Sequence, residues 1–256
     1  MAIKLIVTDL DRTLLRTDKS ISDFTVSVCN KCKEKGILTA IATARSETAA
    51  RRYIEWISPD IVVSCGGALV RLGNKIIYRS ILSADISDKL TCELLHNSNV
   101  GYITVETDNG YYVSYSEPAD HPDYNHGIYN DFKTPLGKDT YKIMVEIFDD
   151  STANYFANKY EECNMLKFSG ESWCRFASKN ADKVIALRQV IEELNLSLSE
   201  AVAFGDDFND IEMLKACGIS VAVDNAIAEA KEAADYICDS NDNDGVARWI
   251  ERNILR

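Results

Sequence analysis

The chain is 256 residues long, 46% hydrophobic and 27% charged, which suits a globular protein of one large or two smaller domains. Its formal net charge of −12 repels polyanions, so neither nucleic acid nor an anionic membrane surface is expected as a partner. An anionic substrate would have to be drawn in by a metal or a few local cations.

The first apolar run, Ile3 to Val7, is too short for a signal-peptide core, and no stretch approaches a membrane span, so a cytoplasmic setting is expected. The eight cysteines are scattered and read as reduced. Cys29 and Cys32 form a C-x-x-C inside a helical pattern, without a second pair at zinc-ligand spacing.

From Ile3 to about Arg79, β-rich runs ("IKLIVT", "ILTAIAT", "DIVVSC") alternate with helical stretches around Asp23 to Lys35 and Glu47 to Ile57. That alternation is the signature of a parallel α/β sheet whose right-handed crossovers align the strands' carboxyl ends along one edge. From about Leu82 to Ala181 the pattern changes. A helix from a Ser83 cap towards Asn97 precedes the hairpin-like strands "GYITVET" and "YYVSYS", which flank Asp108, Asn109 and Gly110. A polar stretch, Glu117 to Lys138, reads as a long loop. "YKIMVEIF", a helix from Ser151 to Cys163, and the pair "MLKFS" and "WCRFA" complete an α+β segment. After Asp182 the first pattern returns: a helix to Leu194, "AVAFG", a helix from Asp207 to Ala216, "ISVAV", a helix from Ala226 to Ala234, and "YIC". The economical arrangement is one α/β domain, residues 1–81 and 182–256, split by an inserted α+β domain, residues 82–181.

In open α/β sheets, ligands bind beyond the carboxyl ends of strands near a switch point. Asp9 and Asp11 follow the first strand, and Asp206, Asp207 and then Asp210 follow "AVAFG". If those strands are neighbours, several carboxylates converge and repel one another, and a divalent cation resolves the conflict. Hard oxygen ligands fit Mg²⁺, which keeps waters and bridges to phosphate. Thr43 ends the strand "ILTAIAT" with a hydroxyl able to bind a phosphate oxygen, next to a helix start that offers backbone N–H groups. Lys183, at the start of a helix, could place a cation against the phosphate. Singly, these are ordinary turn, cap and surface residues. Their order at successive strand ends carries the joint reading.

"DLDRTLL", the Thr43 strand end, Lys183 and "GDDFNDIEML" together resemble the four ordered motifs of the haloacid dehalogenase superfamily. The insertion resembles the type IIB cap of its Cof-like sugar-phosphate phosphatases, and the tail after Gly218 also looks like the end of that family. The resemblance implies a Rossmann-like core with an inserted cap and an aspartyl-phosphate mechanism. Asp9 would be the nucleophile and Asp11 the general acid and base. Mg²⁺ would be held by Asp9, the Asp11 carbonyl and Asp206, with Asp210 supporting that shell and Asp207 a candidate to join it. Thr43, Lys183 and Asn209 would bind the phosphoryl group.

Arg12 and Ala44 stand where relatives commonly have glycine, and Gly66 where asparagine is frequent. Specificity is expected from the cap, with Arg45, Asp207 and the loop residues His121, Tyr124, Asn125 and His126 as candidates; a solvated loop is the ordinary account of those histidines. The expected partner is a small phosphorylated metabolite, and the expected state a monomer or weak homo-oligomer. A phosphomutase and a noncatalytic phosphate-ligand sensor are the alternatives.

Overall fold

A computed structural model of the chain describes residues 2–115, 127–168 and 170–256. It forms two compact units, Met1–Tyr78 with Asp182–Arg256, and Arg79–Ala181. The first crossing falls at Tyr78/Arg79, at the end of a strand, rather than at 81/82 as the change of pattern implied.

In the first unit the chain runs through β1 (Leu5–Thr8), α1 (Asp23–Glu34), β2 (Leu38–Ala42), α2 (Glu47–Ile57), β3 (Ile61–Ser64), β4 (Leu69–Leu72) and β5 (Lys75–Arg79). The second contains α3 (Ala84–Leu95), β6 (Val100–Thr107), β7 (Gly110–Val113), β8 (Ile128–Tyr129), β9 (Thr140–Ile147), α4 (Asp150–Lys159), β10 (Cys163–Lys167) and β11 (Trp173–Ser178). The first unit resumes with α5 (Lys183–Glu193), β12 (Ala201–Gly205), α6 (Ile211–Ala216), β13 (Ile219–Val223), α7 (Ala228–Ala233), β14 (Tyr236–Cys238) and α8 (Gly245–Asn253).

The larger sheet has the order β14-β13-β12-β1-β2-β3-β4-β5. Its strands from β14 to β3 are parallel, and β4 is antiparallel to β3, so the sheet is mixed rather than parallel throughout. The reason lies in Ser64–Ala68, a turn too short for a crossover, with positive φ at Cys65, Gly66 and Gly67. β1 and β12 are apolar and fully buried, as strands covered on both faces should be. Each large aliphatic side chain there contributes roughly 1.5–3 kcal/mol by leaving water.

α1 and α2 begin at Ser22 and Ser46, whose hydroxyls accept the N–H groups of Thr25 and Ala49. The sequence pattern does not point to α8, yet Val246, Ala247 and Ile250 bury one face of it. The predicted helix from Asp207 divides into a 3-10 turn, Phe208–Asp210, and α6.

The second unit is a six-stranded sheet, order β10-β11-β9-β6-β7-β8, with α3 and α4 packed through Leu90, Leu94 and Phe156 onto Ile103, Val105, Ile143 and Val145. The long polar loop includes the short strand β8; His121, Tyr124, Asn125 and His126 lie outside the described residues. No helix among the described residues is long and apolar enough to cross a membrane.

Candidate active site

Sheet register brings the motifs together. Thr8, the last residue of β1, pairs with Phe204 of β12 on one side and Ile41 of β2 on the other. The residues that follow these strands, Asp9, Asp206 and Thr43, therefore emerge from one edge of the sheet at the point where the strand order changes direction.

Asp9, Asp206 and Asp210 are buried, and one carboxylate oxygen from each lies within 4.8 Å of the others. Gly205 makes this approach possible, since a Cβ there would sit 2.4 Å from the Asp210 Cβ. Lys183, 2% exposed, donates from Nζ to Asp9 Oδ1 at 2.6 Å and to Asp210 Oδ1 at 2.7 Å. As the first residue of α5 it places a cation at the helix end that disfavours one, and the two carboxylates offset that cost. Burial pushes the ammonium pKa down, but the charges and hydrogen bonds of Asp210 and Asp9 outweigh it and raise it. Asp210 Oδ2 accepts the backbone N–H groups of Asp206 and Asp207 at 3.0 and 3.2 Å, so both its oxygens are engaged. Asp206 Oδ1 accepts the Thr13 hydroxyl at 2.6 Å.

Burial, then repulsion from Asp210, pushes Asp206 up to about 7. Burial also raises Asp9, with Lys183 opposing and Asp210 and Asp206 adding to the rise. Fully ionised, the three carboxylates would carry two negative charges beyond the one ammonium, which pairs with Asp9 and Asp210, and that excess is the charge of one divalent cation. An all-oxygen donor set suits a hard cation. The residues present thus fit a divalent metal.

Asp11, two residues on, has different company. Its Oδ2 accepts Arg45 Nε at 2.6 Å, and its Oδ1 accepts Arg45 Nη2 and Lys19 Nζ, both at 2.8 Å. Burial pushes this carboxyl up, but the Arg45 hydrogen bonds and the Arg45 and Lys19 charges overcome that and hold it at about 2. Arg45 lies over the Tyr53 ring, 5.3 Å from its centroid. Thr43 is buried, and its hydroxyl oxygen accepts the Arg45 N–H at 3.1 Å.

Two candidates stand apart from the cluster. Asp207 caps the 3-10 turn through the Phe208 N–H and is not one of the three grouped carboxylates. Asn209 is half-buried on the same turn and, among the described residues, makes no hydrogen bond to Asp9, Lys183 or Asp210. Sequence reasoning missed Lys19 and the Thr13 bond to Asp206. Thr13 stands inside the motif "DLDRTLL", whereas Lys19 lies in a loop without periodic signal.

A family model for haloacid dehalogenase-like hydrolases matches residues 6–250. The chain belongs to that family. The resemblance carried by four short motifs, to a haloacid dehalogenase-type phosphatase with a Rossmann-like core and a cap, agrees with this membership. Among relatives, a 5-amino-6-(5-phospho-D-ribitylamino)uracil phosphatase of Bacillus subtilis is 27% identical, covering 99% of this chain and 96% of that protein. A haloacid dehalogenase-like hydrolase from Bacteroides thetaiotaomicron superposes with a TM-score of 0.84 at 24% identity, covering 98% of this chain and 99% of its own. A sugar phosphatase of haloacid dehalogenase subclass IIB superposes with a TM-score of 0.88 at 21% identity, covering 99% of this chain and all of its own, which carries the likeness of fold.

Proposed function

We propose that this hydrolase is a Mg²⁺-dependent phosphatase of small phosphorylated metabolites, sugar phosphates first, acting through an aspartyl-phosphate on Asp9. The observation that carries the reading is the buried pair of Asp9 with Lys183 beside two further carboxylates at the sheet edge.

Asp9 attacks phosphorus through a carboxylate oxygen while the P–O bond to the leaving alcohol breaks. Lys183 offsets the charge of Asp9 so that an anionic nucleophile can meet an anionic phosphate, and Asp210 fixes the Lys183 ammonium. Asp11 gives its proton to the departing alkoxide, then takes one from the water that attacks phosphorus and frees Asp9. Held ionised by Arg45 and Lys19, Asp11 stands in its base form; the acid form requires those cations to turn away. Thr43 donates to a phosphoryl oxygen, and Asn209 is a further phosphoryl contact. Arg45 and Asp207 are the core's specificity candidates. Mg²⁺, held by Asp9, the Asp11 carbonyl and Asp206 with Asp210 in support, would neutralise charge on the phosphoryl oxygens.

Phosphate release from a sugar-phosphate panel, a phosphoribitylamino-uracil and an aryl phosphate, with Mg²⁺ or excess chelator, tests this. Metal-dependent release supports it. Transfer to a sugar rather than to water would mark a mutase, and binding without turnover a sensor.

A further inference from the structure

Residues Leu10–Leu14 form a single wide turn, closed by the Leu15 N–H donating to the Leu10 carbonyl at 2.8 Å. Within it Arg12 has φ 62° and ψ 3°. That left-handed conformation costs a residue with a Cβ roughly 1–2 kcal/mol. The turn sets where Asp11 stands and aims the Thr13 hydroxyl at Asp206, so something has to hold it.

The holding groups come from more than 200 positions away, a separation of 213 between Asn225 and Arg12. Asn225 Nδ2 donates to the Arg12 carbonyl at 2.7 Å, and Asn225 Oδ1 accepts the Asn241 N–H at 2.9 Å. Only one orientation of the amide satisfies both partners. Asn241, 2% exposed, donates from Nδ2 to the Leu15 carbonyl at 3.0 Å. The two side chains thus grip the turn at the strained residue and at its exit. Outside them, Asp242 takes the Thr17 N–H and hydroxyl, both at 2.8 Å, and Asp244 pairs with Arg16 at 3.0 Å.

We infer that Asn225, backed by Asn241, clamps the Arg12 turn in its left-handed form and so positions Asp11 and Thr13. Asn225 is a positioning residue: its side-chain amide bonds the Arg12 carbonyl and the Asn241 N–H rather than a carboxylate of the cluster, and it acts through the Arg12 backbone. A glycine at position 12 adopts that backbone without a clamp, which separates this role from a general contribution to folding. The kinetic consequence rests on the phosphatase reading; the clamp itself rests on geometry alone.

The experiment compares wild type, Asn225→Ala, Asn225→Asp and the double variant Arg12→Gly/Asn225→Ala by site-resolved hydrogen exchange and by aryl-phosphate kinetics. Asn225→Ala should exchange the Leu15 amide at least about tenfold faster, with thermal midpoints recorded to correct for global stability. It should lower kcat by about 10–100-fold with KM little changed, as small displacements of a reacting group do. Asn225→Asp keeps the acceptor for Asn241 but loses the donor to Arg12, and should be as impaired as alanine. The double variant should regain most of the protection and most of kcat. Unchanged exchange in Asn225→Ala, wild-type behaviour in Asn225→Asp, or no recovery with glycine at position 12 would each overturn the clamp. If wild type itself releases no phosphate, the function reading fails and the exchange series still decides the clamp.

Discussion

Asp9 and Asp11 are two residues apart, of one chemical type, and held in opposite surroundings. Asp9 is buried among carboxylates, with Lys183 as its ion-pair partner, and its proton affinity is pushed up. Asp11 has a side chain about a third exposed, is gripped by Arg45 and Lys19, and stays ionised down to about 2. Environment rather than residue type divides their roles. On the proposed reading the first is the nucleophile and the second the proton carrier, and the two cations that hold Asp11 are what its proton transfer has to contend with.

The largest expected break comes at Lys183. Lys183→Met removes the ammonium paired with the buried Asp9 and Asp210, so stability of the metal-free protein should fall by about 3–5 kcal/mol. Turnover should fall by about 10³-fold, with loss of the charge that faces the phosphoryl group. Denaturant unfolding and phosphate release check both. Next is Asp11→Asn, which removes the proton carrier but no buried charge. Turnover should drop about 10²–10⁴-fold, and the melting temperature should fall too, though by less than in Lys183→Met, because asparagine cannot replace the ion pairs with Arg45 and Lys19.

The pH response sharpens the contrast, because the two sides have opposite signs. Asp206, raised to about 7, binds its proton more tightly when folded, so the metal-free protein should lose stability as pH rises from about 4 towards 7. A divalent cation should reverse that slope. Asp11, depressed to about 2, contributes stability that is present above its unfolded pKa and lost as pH falls towards 2. Thermal melts from acid to neutral pH, with and without Mg²⁺, read both.

The smallest effect is expected at Arg12. Arg12→Gly relieves the left-handed backbone but loosens the unfolded chain, so the melting temperature should shift by no more than about 2–4 °C. Turnover should be retained. A large loss would show that the Arg12 side chain itself contributes.

These contrasts also mark what the sequence could show. Asp9, Asp206 and Thr43 were legible because each follows a short apolar strand, a local signal. Register between β1, β2 and β12 then does the assembly. Lys183 was expected against the charge of Asp9, and Arg45 was named near the site, but the pairings that give Asp11 and Asp206 their character were not legible. Arg45 lies 34 positions from Asp11, and Thr13 is 193 positions from Asp206. No periodicity encodes such pairings; they appear only when the chain is folded. Asp207 shows the converse. Its place in "GDDFND" offered it for the site, whereas in the fold its side chain caps a turn. Arg12 read only as a departure from glycine, but its positive φ exposes a constraint that Asn225 answers from the far end of the chain.

The most direct test of the Asp9 assignment is covalent. An aryl phosphate labelled in its phosphoryl group, whose leaving group departs without a proton from Asp11, mixed with Asp11→Asn in Mg²⁺ and quenched in acid, should leave label on the protein at Asp9, with Asp9→Asn unlabelled. Label on another residue, or equal labelling of Asp9→Asn, would contradict the assignment of Asp9 as the nucleophile.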